Sequence, residues 1–209
     1  METKKLAIWG FYDGAIVMIF DILESQKYNE EIFVVNKSLL HPDRPIHNNN
    51  IRYKIVEDLP MDFNYIIDYQ TAILNKDYIK EKNLLDKIIN IIHVTASISS
   101  TILIGRGCVV NAGVVIAGQT NIGNFIFINR NVSIGHHTVI GDYTTINPGS
   151  NIAGNVSIGQ DCYIGIGTTI NNSIKIGNHT VIGAGSVVVK NIPDNVIAYG
   201  NPCKIIRKK

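Results

Sequence analysis

The chain is short of cysteine, of net charge and of long apolar runs, and each shortage removes a class of protein. Its three cysteines, Cys108, Cys162 and Cys203, are odd in number and scattered. They do not read as a disulfide framework, and a reducing cytosol is the simplest setting. A net charge of +2 over 209 residues is too small and too dispersed for a nucleic-acid binder. The basic end, Arg207-Lys208-Lys209, reads as a solvated terminus. Apolar stretches such as Ala15–Phe20 fall far short of the roughly 20 residues that span a membrane. Met1-Glu2-Thr3-Lys4-Lys5 leads straight into a strand-like segment without a secretory core, so the expected location is cytoplasmic. A composition of 45% hydrophobic and 17% charged residues suits a soluble globular protein with a sizeable core.

What is present falls into two halves, 1–94 and 95–209, written in different patterns. In the first, Lys4–Gly10, Glu31–Asn36, Asn64–Tyr69 and Ile88–Val94 read as strands. Gly14–Gln26 reads as a helix that is apolar nearly all round, and Asn75–Lys87 as an exposed helix. Leu39–Asn50 is a polar loop rich in Pro and Asn. Strands alternating with helices predict a small α/β, Rossmann-like domain with a parallel sheet. Ligands of such sheets sit beyond the C-terminal strand ends, here near Gly10–Gly14 and Asn36-Lys37.

From Ile98 the period becomes six. Ile104, Val110, Ile116, Ile122, Ile128, Ile134, Ile140, Ile146, Ile152, Ile158, Ile164, Ile170, Ile176, Ile182 and Val188 follow without an insertion, sixteen hexads in all. The second place is often glycine, as at Gly105, Gly123, Gly135 and Gly141, and the fifth is small or β-branched, as at Thr120, Val132, Thr138 and Thr144. Neither a strand of period 2 nor a helix of period 3.6 yields this pattern. It predicts an all-β parallel β-helix, in which stacked repeats bury what one repeat alone cannot. Three hexads make one triangular coil, so residues eighteen apart stack about 4.7–4.9 Å apart. First-place residues should point inward. The glycines and asparagines that follow are expected at tight corners with φ above zero.

One segment of this prism carries chemistry: Asn129-Arg-Asn-Val-Ser-Ile-Gly-His136-His137-Thr-Val-Ile-Gly-Asp142-Tyr. His136 takes the third place of its hexad, at a corner where side chains leave the core. A lone corner histidine is most simply a tolerated polar residue. Here the run Ile-Gly-His-x-x-Val-Ile-Gly-Asp-Tyr, followed by Asn147-Pro-Gly-Ser-Asn-Ile-Ala-Gly-Asn-Val-Ser-Ile-Gly, resembles the bacterial sugar acetyltransferases of the PglD and NeuD type. The ending Ile182-Gly-Ala-Gly-Ser-Val-Val-Val-Lys, with Gly200-Asn-Pro-Cys-Lys204, resembles the closing coil of the wider hexapeptide acyltransferase class. The resemblance is strong from about Ile91 to Ile206.

That resemblance implies a left-handed β-helix, an exception to the usual right-handed crossover. It implies a homotrimer, with acetyl-CoA as co-substrate in the groove between neighbouring prisms and a sugar acceptor under the N-terminal domain. His136 would be the base that deprotonates the acceptor. Imidazole suits the task because its ordinary pKa lies near working pH. By the same carry-over, Thr145, Ile166 and Ala184 match coenzyme contacts, Gly154 gives close approach to the thioester, and Asn129 matches a polar residue beside the acceptor.

The sequence departs from the pattern at several places. Where relatives carry Asp or Glu after the base, this chain has His137, counted here with His136 as a catalytic candidate; Asp142 is a substitute only by nearness in sequence. The loop Gly10-Phe11-Tyr12-Asp-Gly14 replaces a denser glycine loop, and Asn36 and Lys37 replace paired acids that contact the nucleotide base. Asp68-Tyr69-Gln70 replaces a Gly-Asn pair. Gly10, Phe11, Tyr12, Asn36 and Lys37 are therefore the substrate-binding candidates of the first half. The expected reaction moves an acetyl group to the amino group of a nucleotide-linked deoxy amino sugar for surface glycan synthesis. Alternatives are O-acetylation of a sugar hydroxyl, as in sialic acids, or a non-catalytic scaffold. A zinc hydratase of the γ-carbonic anhydrase kind, built on the same solenoid, needs histidines a few residues apart, and no His-x₄-His pair exists. No metal is expected.

Overall fold

A computed structural model of the chain describes residues 5–10, 13–35 and 50–209. The chain divides into two compact units, Met1–Val94 and Thr95–Lys209. The first holds a parallel sheet of β1 (Leu6–Trp9), β2 (Ile32–Val35), β3 (Tyr53–Val56) and β4 (Asn64–Ile67), in the order β3-β2-β1-β4. Leu6 stands opposite Ile32 on one side and Asn64 on the other. Leu6, Ala7, Ile8, Ile32, Val34, Ile66 and Ile67 are all buried, as in parallel sheets covered on both faces. Helix α1 (Asp13–Ser25) buries Ala15, Ile16, Ile19, Phe20, Ile22 and Leu23, which recur at helical spacing, and leaves Val17 exposed.

The sequence reading needs correction in this unit. Tyr53–Val56 is a strand that the sequence pattern does not announce, because an edge strand of half-buried and exposed residues lacks an apolar run. Asn75–Lys87 is not one helix. Asp68 caps α2 (Tyr69–Leu74), Asn75 ends it and starts α3 (Lys76–Glu81), and a 3-10 turn follows at Leu85–Lys87. The run Ile88–Val94 yields only a bridge from Ile88 to Tyr65 and a two-residue strand, Ile91–Ile92. Residues 39–49 of the polar loop lie outside the described residues.

The second unit is a parallel β-solenoid. Sixteen two-residue strands recur every six residues from Ser97–Ile98 to Val187–Val188 and stack into three parallel sheets. Within this unit face one starts at Leu103–Ile104, face two at Val109–Val110 and face three at Ser97–Ile98. Each strand pairs with the one eighteen residues on, as Phe127 with Thr145 and Ile128 with Ile146. Face two ends with Val196–Tyr199 and an antiparallel strand, Lys204–Lys208. First-place residues from Val110 onward are buried, so a column of β-branched side chains fills the axis.

Fifth-place side chains also point inward, and they solve a polar problem. The hydroxyls of Thr120, Thr138, Thr144 and Ser150 donate to the carbonyls of Gly135, Ala153, Gly159 and Gly165, at 3.0–3.2 Å. The thiols of Cys108 and Cys162 occupy the same place and donate to the carbonyls of Gly123 and Gly177. Each buried donor is thereby satisfied, as burial requires.

The expected reason for the second-place glycines is overturned. Positive φ occurs at the fourth place instead, with values from 50° to 69° at all fourteen fourth places from Gly107 to Gly185. Only five of those are glycine, and Phe125, His137, Tyr143 and His179 are among the rest. From Phe125 onward each such turn is pinned by its own amide: Tyr143 donates to the carbonyl of Asn124 at 2.9 Å, and Asn155 to that of His136 at 2.8 Å. Second-place glycines answer crowding between coils. A Cβ on Gly165 would lie 2.5 Å from the amide nitrogen of Ala184, closer than any real contact.

Ile146 lies at the middle of the column between Ile128 and Ile164 and has no exposed surface. Ile146→Ala should lose about 2–5 kcal/mol in urea denaturation. Ile146→Asp should fail to form the solenoid by circular dichroism, because it buries an unpaired charge.

Candidate active site

The corner that leads from face three to face one carries the only adjacent imidazoles among the described residues. Ser133–Ile134 ends at Gly135, and the chain turns through His136 and His137 before Val139–Ile140. Both rings are exposed. Their Nδ1 atoms lie 2.9 Å apart, with ring planes at 87°. His137 has φ of 56°, which turns its side chain back toward its neighbour.

Gly154 lies one coil above His136. A Cβ there would come within 2.8 Å of both Cε1 and Nε2 of the His136 ring. Glycine at this place makes the room the imidazole occupies. Ala153 and Asn171 at this corner, with the face-three residues Ser133, Asn151, Thr169 and Val187, line a groove of about 370 Å³. An exposed imidazole with one nitrogen engaged, beside an open groove, can accept a proton from a bound nucleophile.

The remaining candidates are not at this corner. Thr145 sits on face two, and Ile166 and Ala184 follow that face at the next corner, both exposed. Around them the chain is bare: nothing lies within 4 Å of a Cβ built on Gly149, Gly167 or Gly185. Asn129 belongs to the same corner. Its Oδ1 accepts from the amide of Arg130 at 2.8 Å, within a column where Asn111 and Asn147 donate to the carbonyls of Ile128 and Ile164. Asp142 is not the partner of His136. It stands at the corner after face one, where its carboxylate accepts from the amide of Asn124 at 2.8 Å.

That corner also holds a carboxylate–imidazole pair that the sequence reading missed. Nδ1 of His179 lies 2.9 Å from Oδ2 of Asp161, one coil below. Gln160 approaches Nε2 at 3.4 Å and Lys209 approaches the carboxylate at 3.7 Å. The signal was the eighteen-residue spacing, which stacks positions 161 and 179. With both ring nitrogens occupied, this pair braces the corner. Burial pushes the thiol of Cys108 up to about 11 and raises those of Cys162 and Cys203, so none is a ready nucleophile. Among the described residues no group of three His, Cys, Asp or Glu side chains could hold a metal ion.

In the first unit Gly10 has a packing reason to be glycine. Its φ is 96°, and a Cβ would run into the side chains of Asp68 and Thr71. Asp68 accepts from the amide of Thr71 at 3.0 Å and from its hydroxyl at 2.6 Å. Both residues lie beyond the C-terminal ends of neighbouring strands, β1 and β4, where the strand order reverses. Phe11, Tyr12, Asn36 and Lys37 lie outside the described residues.

Two family models match the chain: "bacterial transferase hexapeptide (six repeats)" over residues 155–190, and "hexapeptide repeat of succinyl-transferase" over 96–117. Parts of the solenoid are thus similar to the hexapeptide repeats of bacterial transferases. No curated protein matches the chain by sequence. Among solved structures, a perosamine N-acetyltransferase of Caulobacter crescentus with CoA and GDP-perosamine is 25% identical, a variant with one histidine replaced. The match covers 98% of this chain and 97% of that one, with a TM-score of 0.79. The acetyltransferase domain of PglB from Neisseria gonorrhoeae, in complex with acetyl coenzyme A, is 22% identical. It covers 97% and 99% of the two chains, with a TM-score of 0.82. WeeI from Acinetobacter baumannii is 21% identical over 98% and 100%, with a TM-score of 0.78. These matches span both units, so this hexapeptide-repeat chain has an α/β N-terminal unit followed by a left-handed parallel β-helix. No helix among the described residues is long and apolar enough to cross a membrane.

Burial raises the pKa of Asp68 against the opposing hydrogen bonds from Thr71. A raised carboxyl favours folding while protonated, and that contribution is lost as pH climbs through its folded-state pKa. Asp68→Asn keeps an acceptor for the helix cap and cannot ionise. Urea midpoints should therefore show the variant gaining on the parent as pH rises from below the ordinary Asp value of about 3.9. A relative loss with rising pH would contradict the assignment.

Proposed function

We propose that the protein transfers an acetyl group from acetyl-CoA to the amino group of a nucleotide-linked deoxy amino sugar, with His136 as general base. The observation that carries this reading is the exposed His136 ring, its Nδ1 engaged by His137 and its Nε2 edge lying over Gly154. The neutral amine attacks the thioester carbon, the C–N bond forms, and the amine proton passes to Nε2 of His136. The C–S bond then breaks, and the thiolate takes that proton to leave as free CoA. Gly154 keeps this side of the corner low enough for the thioester to approach. The groove on face three runs along stacked strands and offers a place for the coenzyme, and the Caulobacter and Neisseria relatives were solved with CoA and acetyl-CoA.

Thr145, Ile166 and Ala184 belong to a different corner from His136. One acyl donor that touches both sets must lie between two protomers, which supports a homotrimer with its sites in the shared clefts. The first unit would hold the nucleotide part of the acceptor, with Gly10 among its binding residues. An amino acceptor is favoured over a hydroxyl because the Caulobacter relative acts on perosamine nitrogen. Such a product feeds surface glycan synthesis from the cytoplasm.

The deciding assay follows thiol release from acetyl-CoA with a panel of nucleotide-linked amino sugars and their hydroxyl counterparts. Amine acceptors should give turnover by a species that sediments as a trimer; turnover with hydroxyl sugars alone, or with none, sinks the reading. His136→Ala should lower kcat by about 10²–10⁴-fold while circular dichroism stays unchanged. Gly154→Ala should displace the His136 ring by a few tenths of an ångström and cost roughly tenfold in kcat, with melting nearly unaltered.

A further inference from the structure

His136 and His137 meet through like atoms, Nδ1 to Nδ1 at 2.9 Å. Only one proton fits between them: two N–H groups clash, and two lone pairs repel. One ring donates and the other accepts. A neutral imidazole carries a single proton, so its two nitrogens always hold opposite roles. For His136 to accept a proton at Nε2, its own proton must sit on Nδ1. That N–H then donates to His137, which must carry its proton on Nε2. The reverse hydrogen bond places the His136 proton on Nε2 and blocks it.

We propose that His137 is a positioning residue: by accepting from Nδ1 of His136 it holds that ring in the Nδ1–H tautomer and then shares the proton the base gains. This rests on the assignment of His136 as base. When the amine proton reaches Nε2, the Nδ1–H···Nδ1 bond becomes charge-assisted and shorter. The bridging proton can pass from His136 to His137, which leaves His136 neutral with Nε2–H and makes His137 the cation. The pair holds one extra proton throughout. A carboxylate in this place would neutralise the imidazolium; a second imidazole disperses its charge over two rings.

The backbone dictates how to test the claim. At φ of 56°, glycine, asparagine and aspartate are tolerated, so substitutions to them do not confound the result with strain. His137→Gly removes the acceptor. His137→Asp and His137→Asn restore one of similar reach. In His137→Gly, kcat should fall by about tenfold with the KM for acetyl-CoA unchanged, a loss that matches one neutral hydrogen bond. His137→Asp should recover at least parental kcat, and His137→Asn part of it. ¹⁵N shifts of selectively labelled protein should show Nδ1–H on His136 in the parent and Nε2–H gaining in His137→Gly. The proposal fails if His137→Gly stays within twofold of the parent, if neither acceptor variant rescues it, or if the parent already shows Nε2–H on His136. The ¹⁵N measurement needs no turnover, so it judges the tautomer even if acetyl transfer proves absent.

Discussion

Every residue of the solenoid depends on the one eighteen places further along. The parallel bonds between coils fix that register, and nothing in the unit escapes it. It stacks isoleucine on isoleucine along the axis, brings fifth-place hydroxyls under carbonyls, and from Phe125 onward makes each fourth-place amide close the turn of the coil before. A slip of one residue would turn the apolar column outward and the corners inward together. The hexads run from Ile98 to Val188 without an insertion, so the same spacing holds through every coil.

The register also explains what the sequence disclosed and what it concealed. The period of six was legible because first and fifth places are buried on every coil, so composition there repeats. The cause of the glycines was not. Glycine for a positive φ and glycine for lack of space look alike in a sequence, and only the coil above Gly165 distinguishes them. His136 and His137 were legible as a chemical pair, but their meeting through two Nδ1 atoms follows from the turned backbone at His137. Asp142 misled because nearness in sequence is not nearness on a prism: six residues carry the chain to another corner. The same arithmetic separates Thr145, Ile166, Ala184 and Asn129 from the histidines. In the first unit, residues such as Asn75 and Asp68 act through single caps, which hydrophobic periodicity does not register.

The three corners divide the work. The one after face one is knitted by side chains: Asn124 to Asp142, Asn178 to Asp194, and Asp161 to His179. The one after face two is rich in glycine in its upper coils, with Pro148, Ile166 and Ala184 as the residues between. The one after face three carries the paired imidazoles with Gly118 below and Gly154 above. A rigid, a smooth and a reactive edge come from the same repeat, because corner side chains face away from the axis and leave the core unaffected.

The left-handed turn at the fourth place carries a further consequence. Since inter-coil amides hold that conformation whatever the residue, an outward group there inherits a fixed azimuth and a fixed height. Evolution of such a molecule cannot slide a reactive group gradually along its surface. It can only move it by a whole rung or a whole edge, so changes in the size of substrate accommodated would come as jumps, quantised by the spacing between neighbouring chains.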